Sequence, residues 1–262
     1  MPYRNLPDIQ SQPDDRNIPL ERVGVKGLRW PITVLDREKG KQNTIATVNM
    51  FVNLPHNYRG THLSRFTEIL NEYRDAEWID KTGEILNKIR ETLHADESHM
   101  EVEFEYFIEK KAPVTKQTSL MNYKCFFRAS YKEKEDFVLG VIVPVSSLCP
   151  CSKEISDFGA HNQRCNVTVS VRYKTLVWIE EIAELVESCS SGGLYTILKR
   201  PDEKFVTEHA YTHPEFVEDI VRNVAVKLDN IDNVTWYRVE ADSEESIHNH
   251  NAYALVEKQK IQ

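Results

Sequence analysis

The stretch MEVEFEYFI, residues 100–108, decides the fold class: Met100, Val102, Phe104, Tyr106 and Ile108 alternate with Glu101, Glu103 and Glu105. Successive strand side chains point to opposite faces, so this two-residue period predicts a strand with one apolar and one wet face. Tyr123 to Tyr131 can pair beside it. Upstream, Leu63, Phe66, Ile69, Leu70 and Tyr73 share one side of a helix, and Trp78, Ile85, Leu86, Ile89 and Leu93 share one side of a second that ends near Ser98. Before them, β-branched and apolar residues at Val25–Leu35 and Thr44–Val52, joined by the charged Asp36–Asn43, predict a hairpin. The order of the first half is therefore ββααββ.

The same order recurs downstream. Phe137–Val145 and Val167–Tyr173 alternate as strands, and Leu176–Cys189 follows as a helix. A second helix, Glu215–Asp229, carries Phe216, Val217, Ile220, Val221, Val224 and Leu228 at helical spacing after Pro214. Val234–Glu240 and Ala252–Glu257 close the pattern as strands. We expect an α+β chain of two tandem ββααββ units, residues 23–132 and 133–262, forming one compact bimodular domain behind an arm of residues 1–22. Asp8–Asn17 has almost no apolar content to offset its ordering entropy, so the arm is expected to be flexible.

With 262 residues, 40% hydrophobic and 28% charged, the chain can bury a sizeable core. A formal charge of -8 argues against a general nucleic-acid binder, which needs a basic surface. No apolar run approaches membrane-spanning length and the first twenty residues lack a signal pattern, so a cytoplasmic protein without membrane partners is expected. The five cysteines then read as reduced thiols, and Cys125, Cys165 and Cys189, in or beside apolar periodic stretches, as core.

Two segments break the periodicity: Leu148–Arg164 (LCPCSKEISDFGAHNQR) and Ser190–His209 (SSGGLYTILKRPDEKFVTEH). Loops of such length inside a compact domain are usually functional or disordered, and a Cys pair, a His and several charges favour function here. Cys149, Cys151 and His161 lie close together, and a thiolate with an imidazole suits zinc or another borderline divalent ion. C-P-C is too tight for both sulfurs to bind one ion, so one cysteine binds and the other sits beside it. A catalytic ion needs only about three protein ligands. Asp202, Glu203, Glu208, Glu244, Glu245, His248 and His250 could each complete the set. Arg65, Lys199, Arg200 and Lys204 could serve phosphate oxygens. There is neither a P-loop nor an H-E-x-x-H motif.

The strings Leu148–Ser156 (LCPCSKEIS), Gly159–Arg164 (GAHNQR), Leu198–Glu208 (LKRPDEKFVTE), Phe216–Asp219 (FVED) and Glu244–His250 (EESIHNH) together resemble the GTP cyclohydrolase IB family, in family order. The resemblance implies a tunnelling fold (T-fold) with antiparallel sheets and helices on one face, assembled as a homotetramer with interfacial active sites. It implies a divalent ion, Mn2+, Zn2+ or Fe2+, held by Cys149, His161 and Glu203, with His248 a ligand or proton carrier. It further implies that Glu218 anchors guanine, since a carboxylate can accept from N1 and N2 together. Lys199, Arg200 and Arg65 are the expected triphosphate contacts. The implied reaction turns GTP and water into 7,8-dihydroneopterin triphosphate and formate, the entry to tetrahydrofolate and queuosine precursors. Two other readings compete: a nitrile reductase of the same fold, with a cysteine nucleophile, NADPH and no metal, and a non-catalytic module glued by a structural ion.

Overall fold

The computed structural model describes residues 7–10, 12–74 and 76–260. Its elements run β1 (Leu20–Asp36), β2 (Gly40–Leu54), α1 (Ser64–Glu72), α2 (Trp78–Thr92), β3 (Ser98–Lys111), β4 (Thr118–Tyr131), β5 (Glu135–Leu148), α3 (Pro150–Ile155), β6 (Asn162–Tyr173), α4 (Ile179–Glu187), β7 (Gly192–Gly193), α5 (Arg200–Thr212), α6 (Val217–Asp229), β8 (Val234–Glu244) and β9 (Asn251–Gln259). The strands form an antiparallel nine-stranded sheet in the order β1-β2-β3-β4-β5-β6-β8-β9, with the two-residue β7 pairing with β5. The chain divides into two compact units. One comprises the described residues up to Phe104 together with Phe126–Val138, and the other Glu105–Cys125 together with the described residues from Leu139 onward.

In the first unit the alternation seen in the sequence becomes burial: Met100, Val102 and Phe104 of β3 are buried, as are Ala46, Val48, Met50 and Val52 of β2. Phe66, Ile69 and Leu70 of α1 and Trp78, Ile85, Leu86 and Ile89 of α2 are buried too, each set on the stripe that its helical spacing marks. The β1–β2 turn is shorter than the sequence suggested, because Asp36 accepts from the backbone N–H groups of Glu38 and Lys39 (2.9 and 2.7 Å) and Gly40 takes φ +79°. β1 begins at Leu20, and part of the expected arm is tied down: Gln10 and Gln12 accept backbone hydrogen bonds from Gly60 and Arg59. Residues 1–6 and 11 of that arm lie outside the described residues.

In the second unit Val141, Val143 and Val145 of β5, Val167, Val169 and Val171 of β6, and Val239 and Ala241 of β8 are buried, together with Ile182 and Val186 of α4 and Ile220, Val221, Val224 and Leu228 of α6. Cys125, Cys165 and Cys189 are buried as well, and burial pushes the Cys165 thiol up to about 12, so it stays protonated and inert.

Three sequence expectations are corrected here. Residues 190–209 are not one loop: α5 starts at Arg200 and runs to Thr212. Its only buried residues are Asp202 and Ala210, so no apolar stripe advertised it. Residues 148–164 likewise contain α3, and β6 already begins at Asn162. The helix expected from Leu176 begins only at Ile179.

Gly24, in β1 opposite Phe51, sits so close to β2 that a Cβ there would lie 1.9 Å from the Met50 carbonyl oxygen. Gly24→Ala should therefore destabilise the chain by about 1–3 kcal/mol, as overpacking does. Gly60→Ala, whose Cβ would meet nothing nearer than Gln10 Cγ at 3.6 Å, should leave thermal melting nearly unchanged.

Candidate active site

β5 and β6 pair in antiparallel register down to Ser147↔Gln163 and Leu148↔Asn162. The ladder then continues one step beyond the strands: the Cys149 N–H donates to the His161 carbonyl at 3.1 Å. The eleven residues between them make an excursion closed at its base by Ser152, whose hydroxyl donates to the Cys149 carbonyl (3.2 Å) and accepts from the His161 N–H (3.1 Å). Gly159, at φ +82°, turns the excursion back. Cys149 caps α3, and its Sγ accepts from the Ser152 N–H at 3.4 Å. Pro150, in the first turn, suits that start because its missing N–H would be unpaired in any case.

The opposite wall comes from the entry to α6. Ser147 Oγ donates to the Glu215 carbonyl (3.0 Å), and the Glu215 N–H donates to the Leu148 carbonyl (3.2 Å). This strap fixes where α6 begins and puts Glu218 in its first turn, where the helix dipole favours a carboxylate. Burial raises the Glu215 carboxyl above its usual range, with Asp219 acting in the same sense and His213 opposing.

Together these segments line a cavity of about 220 Å³ whose walls include Cys149, His161, Gln163, Glu215, Glu218, Glu245, His248 and His250. Pockets that enclose drug-sized ligands run to roughly 300–1,000 Å³, so this one admits a ring-sized group and leaves the rest of a larger ligand outside. His161 is half-buried, with Nδ1 2.9 Å from Gln163 Oε1. The His248 and His250 rings stack at 5.0 Å on the exposed connection between β8 and β9. Of the C-P-C pair, Cys149 lines the cavity while Cys151 is exposed.

Thus six residues singled out in the sequence, Cys149, His161, Glu218, Glu245, His248 and His250, line one cavity. Glu203, Lys199 and Arg200 do not line that cavity; they stand exposed at the start of α5. Their position is set by Asp202, fully buried, whose carboxylate accepts from the N–H groups of Val114 (2.9 Å), Thr115 (2.8 Å) and Lys199 (3.0 Å) and from the Thr115 hydroxyl (2.7 Å). Burial alone would raise this carboxyl, but the donors outweigh it and hold it well below the ordinary aspartate range. Arg65, in the first unit, pairs with Glu68 at 2.8 Å on the exposed side of α1. Among the described residues, no group of three or more His, Cys, Asp or Glu is already gathered to hold a metal ion. Sequence reasoning missed Gln163, Glu215, Ser147 and Ser152. For Gln163 a signal existed, since it stands two residues from His161 on an alternating strand.

Residues 6–254 match the family described as "Type I GTP cyclohydrolase folE2". The chain belongs to that family. Among relatives named GTP cyclohydrolase FolE2, that of Citrifermentans bemidjiense is 55% identical over 256 residues, covering 98% of this chain and 96% of its own. That of Syntrophus aciditrophicus is 56% identical over 253 residues (96% and 99%), and that of Geobacter sulfurreducens 54% over 255 (97% and 99%). Among solved structures, a urate oxidase mutant from Bacillus sp. TB-90 superposes with a TM-score of 0.55 at 8% identity, covering 92% of this chain and 100% of that one. A uricase from Bacillus fastidious gives 0.52 at 8%, covering 91% and 93%. At such identity these share the FolE2-family chain's fold alone.

The Asp202 anchor yields a prediction with a definite sign. A carboxyl whose folded pKa is depressed adds stability in full above its unfolded value, near 3.9, and loses it as pH falls toward the folded value. Asp202→Asn should therefore melt below the parent at pH 7, and the gap should narrow progressively below about pH 4 in a melting series.

Proposed function

We infer that this chain catalyses the GTP cyclohydrolase I reaction of the IB type, converting GTP and water to 7,8-dihydroneopterin triphosphate and formate. Family membership across nearly the whole chain supports this, and the observation that carries the site assignment is the single cavity lined by Cys149, His161, His248 and Glu218.

The donor set fits a divalent ion. Cys149 offers a sulfur that accepts a backbone N–H, and His161 offers Nε2 while Nδ1 is engaged by Gln163. Cys149 and His161 hold the ion, and Glu203, from α5, completes or modulates the shell. Sulfur favours zinc while a carboxylate eases occupancy by manganese, and Fe2+ suits the same set. When bound, the ion supplies Lewis acidity for hydrolysis at C8 of the purine.

The chain's own residues do the rest. Glu218 accepts from N1–H and N2–H of guanine, which selects guanine over adenine because adenine offers no donor there and would leave the carboxylate acceptor unpaired. His248 carries a proton to the imidazole-ring nitrogen as that ring opens. Lys199, Arg200 and Arg65 are proposed for the triphosphate, each by charge-assisted hydrogen bonds.

A homotetramer is part of the proposal, because the cavity takes only part of GTP and a neighbouring copy can supply the remaining walls. The element order supports the T-fold with two tandem ββααββ units: β1β2α1α2β3β4, then β5β6α4α6β8β9 with α3, β7 and α5 inserted. A reducing, cytoplasmic setting is proposed with it, since a free Cys149 thiol is required.

Purified protein incubated with GTP and Mn2+ should release formate and a product that fluoresces as a pterin after oxidation. Chelator should abolish this and added ion restore it. Cys149→Ala should lose about 100-fold or more in kcat/KM, and Glu218→Ala should raise KM for GTP. Two variants indistinguishable from the parent would overturn the site. Activity that persists in chelator would overturn the metal, and covalent capture of a nitrile at Cys149 would favour the reductase reading.

A further inference from the structure

The backbone of His161 is held on both sides, its N–H by the Ser152 hydroxyl and its carbonyl by the Cys149 N–H. What stays adjustable is the ring: its rotation about the Cβ–Cγ bond and which nitrogen carries the proton. Both decide whether the residue can serve an ion at all, because a neutral imidazole presents one donor and one acceptor. Gln163 faces the same cavity from two residues along the strand, and its backbone is pinned in register opposite Ser147. Its Oε1 lies 2.9 Å from His161 Nδ1.

An amide oxygen only accepts, so this contact requires the proton on Nδ1 and leaves the Nε2 lone pair open. With the amide turned over, its NH2 would donate to Nδ1, the proton would move to Nε2, and the ring would offer the cavity an N–H that no cation can use. From this geometry we infer that Gln163 is a positioning residue for the cyclohydrolase site, locking His161 in the Nδ1–H tautomer and one ring orientation. The inference rests on the metal-dependent reading above and adds to it the residue that makes His161 competent. A neutral partner suits this role because it fixes the tautomer without adding a negative charge beside a site that already carries Glu215, Glu218 and Glu245.

The test uses side chains of similar size with and without the acceptor: Gln163→Met removes the oxygen, and Gln163→Glu keeps it. Solid-state 15N NMR of histidine-labelled protein, with His161 assigned by the signals lost in His161→Asn, should show Nδ1–H in the parent and in Gln163→Glu but not in Gln163→Met. Competition between the full-length protein and a chelator for Mn2+ should show affinity about 10–100-fold weaker in Gln163→Met, as loss of a partner to a ligating histidine costs elsewhere. Gln163→Glu should restore it to within a few-fold, and melting temperatures should stay alike. An Nε2–H signal in the parent would overturn the inference, as would unchanged Mn2+ affinity in Gln163→Met. A parent that bound no divalent ion would overturn the metal reading itself and with it the purpose assigned to Gln163, a failure distinguishable from one confined to this residue.

Discussion

A hydrogen bond from the Cys149 N–H to the His161 carbonyl holds the candidate site at its base. It extends the β5–β6 ladder one step past the last strand pair, Leu148↔Asn162, and so converts a separation of twelve positions in sequence into adjacency in space. The buried valines of the two strands hold the ladder itself. A slip of one residue would turn Val141, Val143 and Val145 outward, at a cost of several buried side chains, each worth about 1.5–3 kcal/mol. Register is thus set by the core, and the core thereby sets where the sulfur and the imidazole meet.

The second fixed point is the strap between the end of β5 and the entry to α6, made by Ser147, Leu148 and Glu215. It carries Glu218 to the cavity on a helix whose opposite face is anchored by Ile220, Val221, Val224 and Leu228. The third is Asp202, which gathers four donors and holds the start of α5. Buried carboxylates are retained only when so satisfied. Cys149, Glu218 and Glu203 therefore stand at the ends of regular elements, whereas His248 lies on the exposed connection between β8 and β9. The same sheet architecture in urate oxidases at 8% identity shows the framework persisting while the sequence changes almost completely.

Much of the fold was legible because the core is written as periodicity. Met100, Val102 and Phe104 alternate in sequence and are buried in space, and the stripes of α1, α2 and α6 match the residues that pack. α5 was illegible for the opposite reason: it is polar on nearly all sides and is held by the side-chain bonds of Asp202, which hydropathy does not record. Within the site, Cys149 and His161 could be paired from residue type and proximity. Residue type offered His248 only as one of seven possible donors, and Glu218 not at all, since nothing local marks a glutamate on a helix face; resemblance to a family singled both out. Gln163 carries no charge and is not a usual ligand type, so only its contact with His161 reveals it.

The central claim is that one sulfur and one imidazole, brought together by the end of a strand pair, grip a single divalent ion. X-ray absorption at the zinc edge of the zinc-loaded protein tests it most directly. The expected result is a shell with one sulfur at about 2.3 Å and nitrogen or oxygen neighbours at about 2.0–2.2 Å, the sulfur contribution vanishing in Cys149→Ser. A shell of nitrogen and oxygen alone, or a sulfur that survives that substitution, would contradict it.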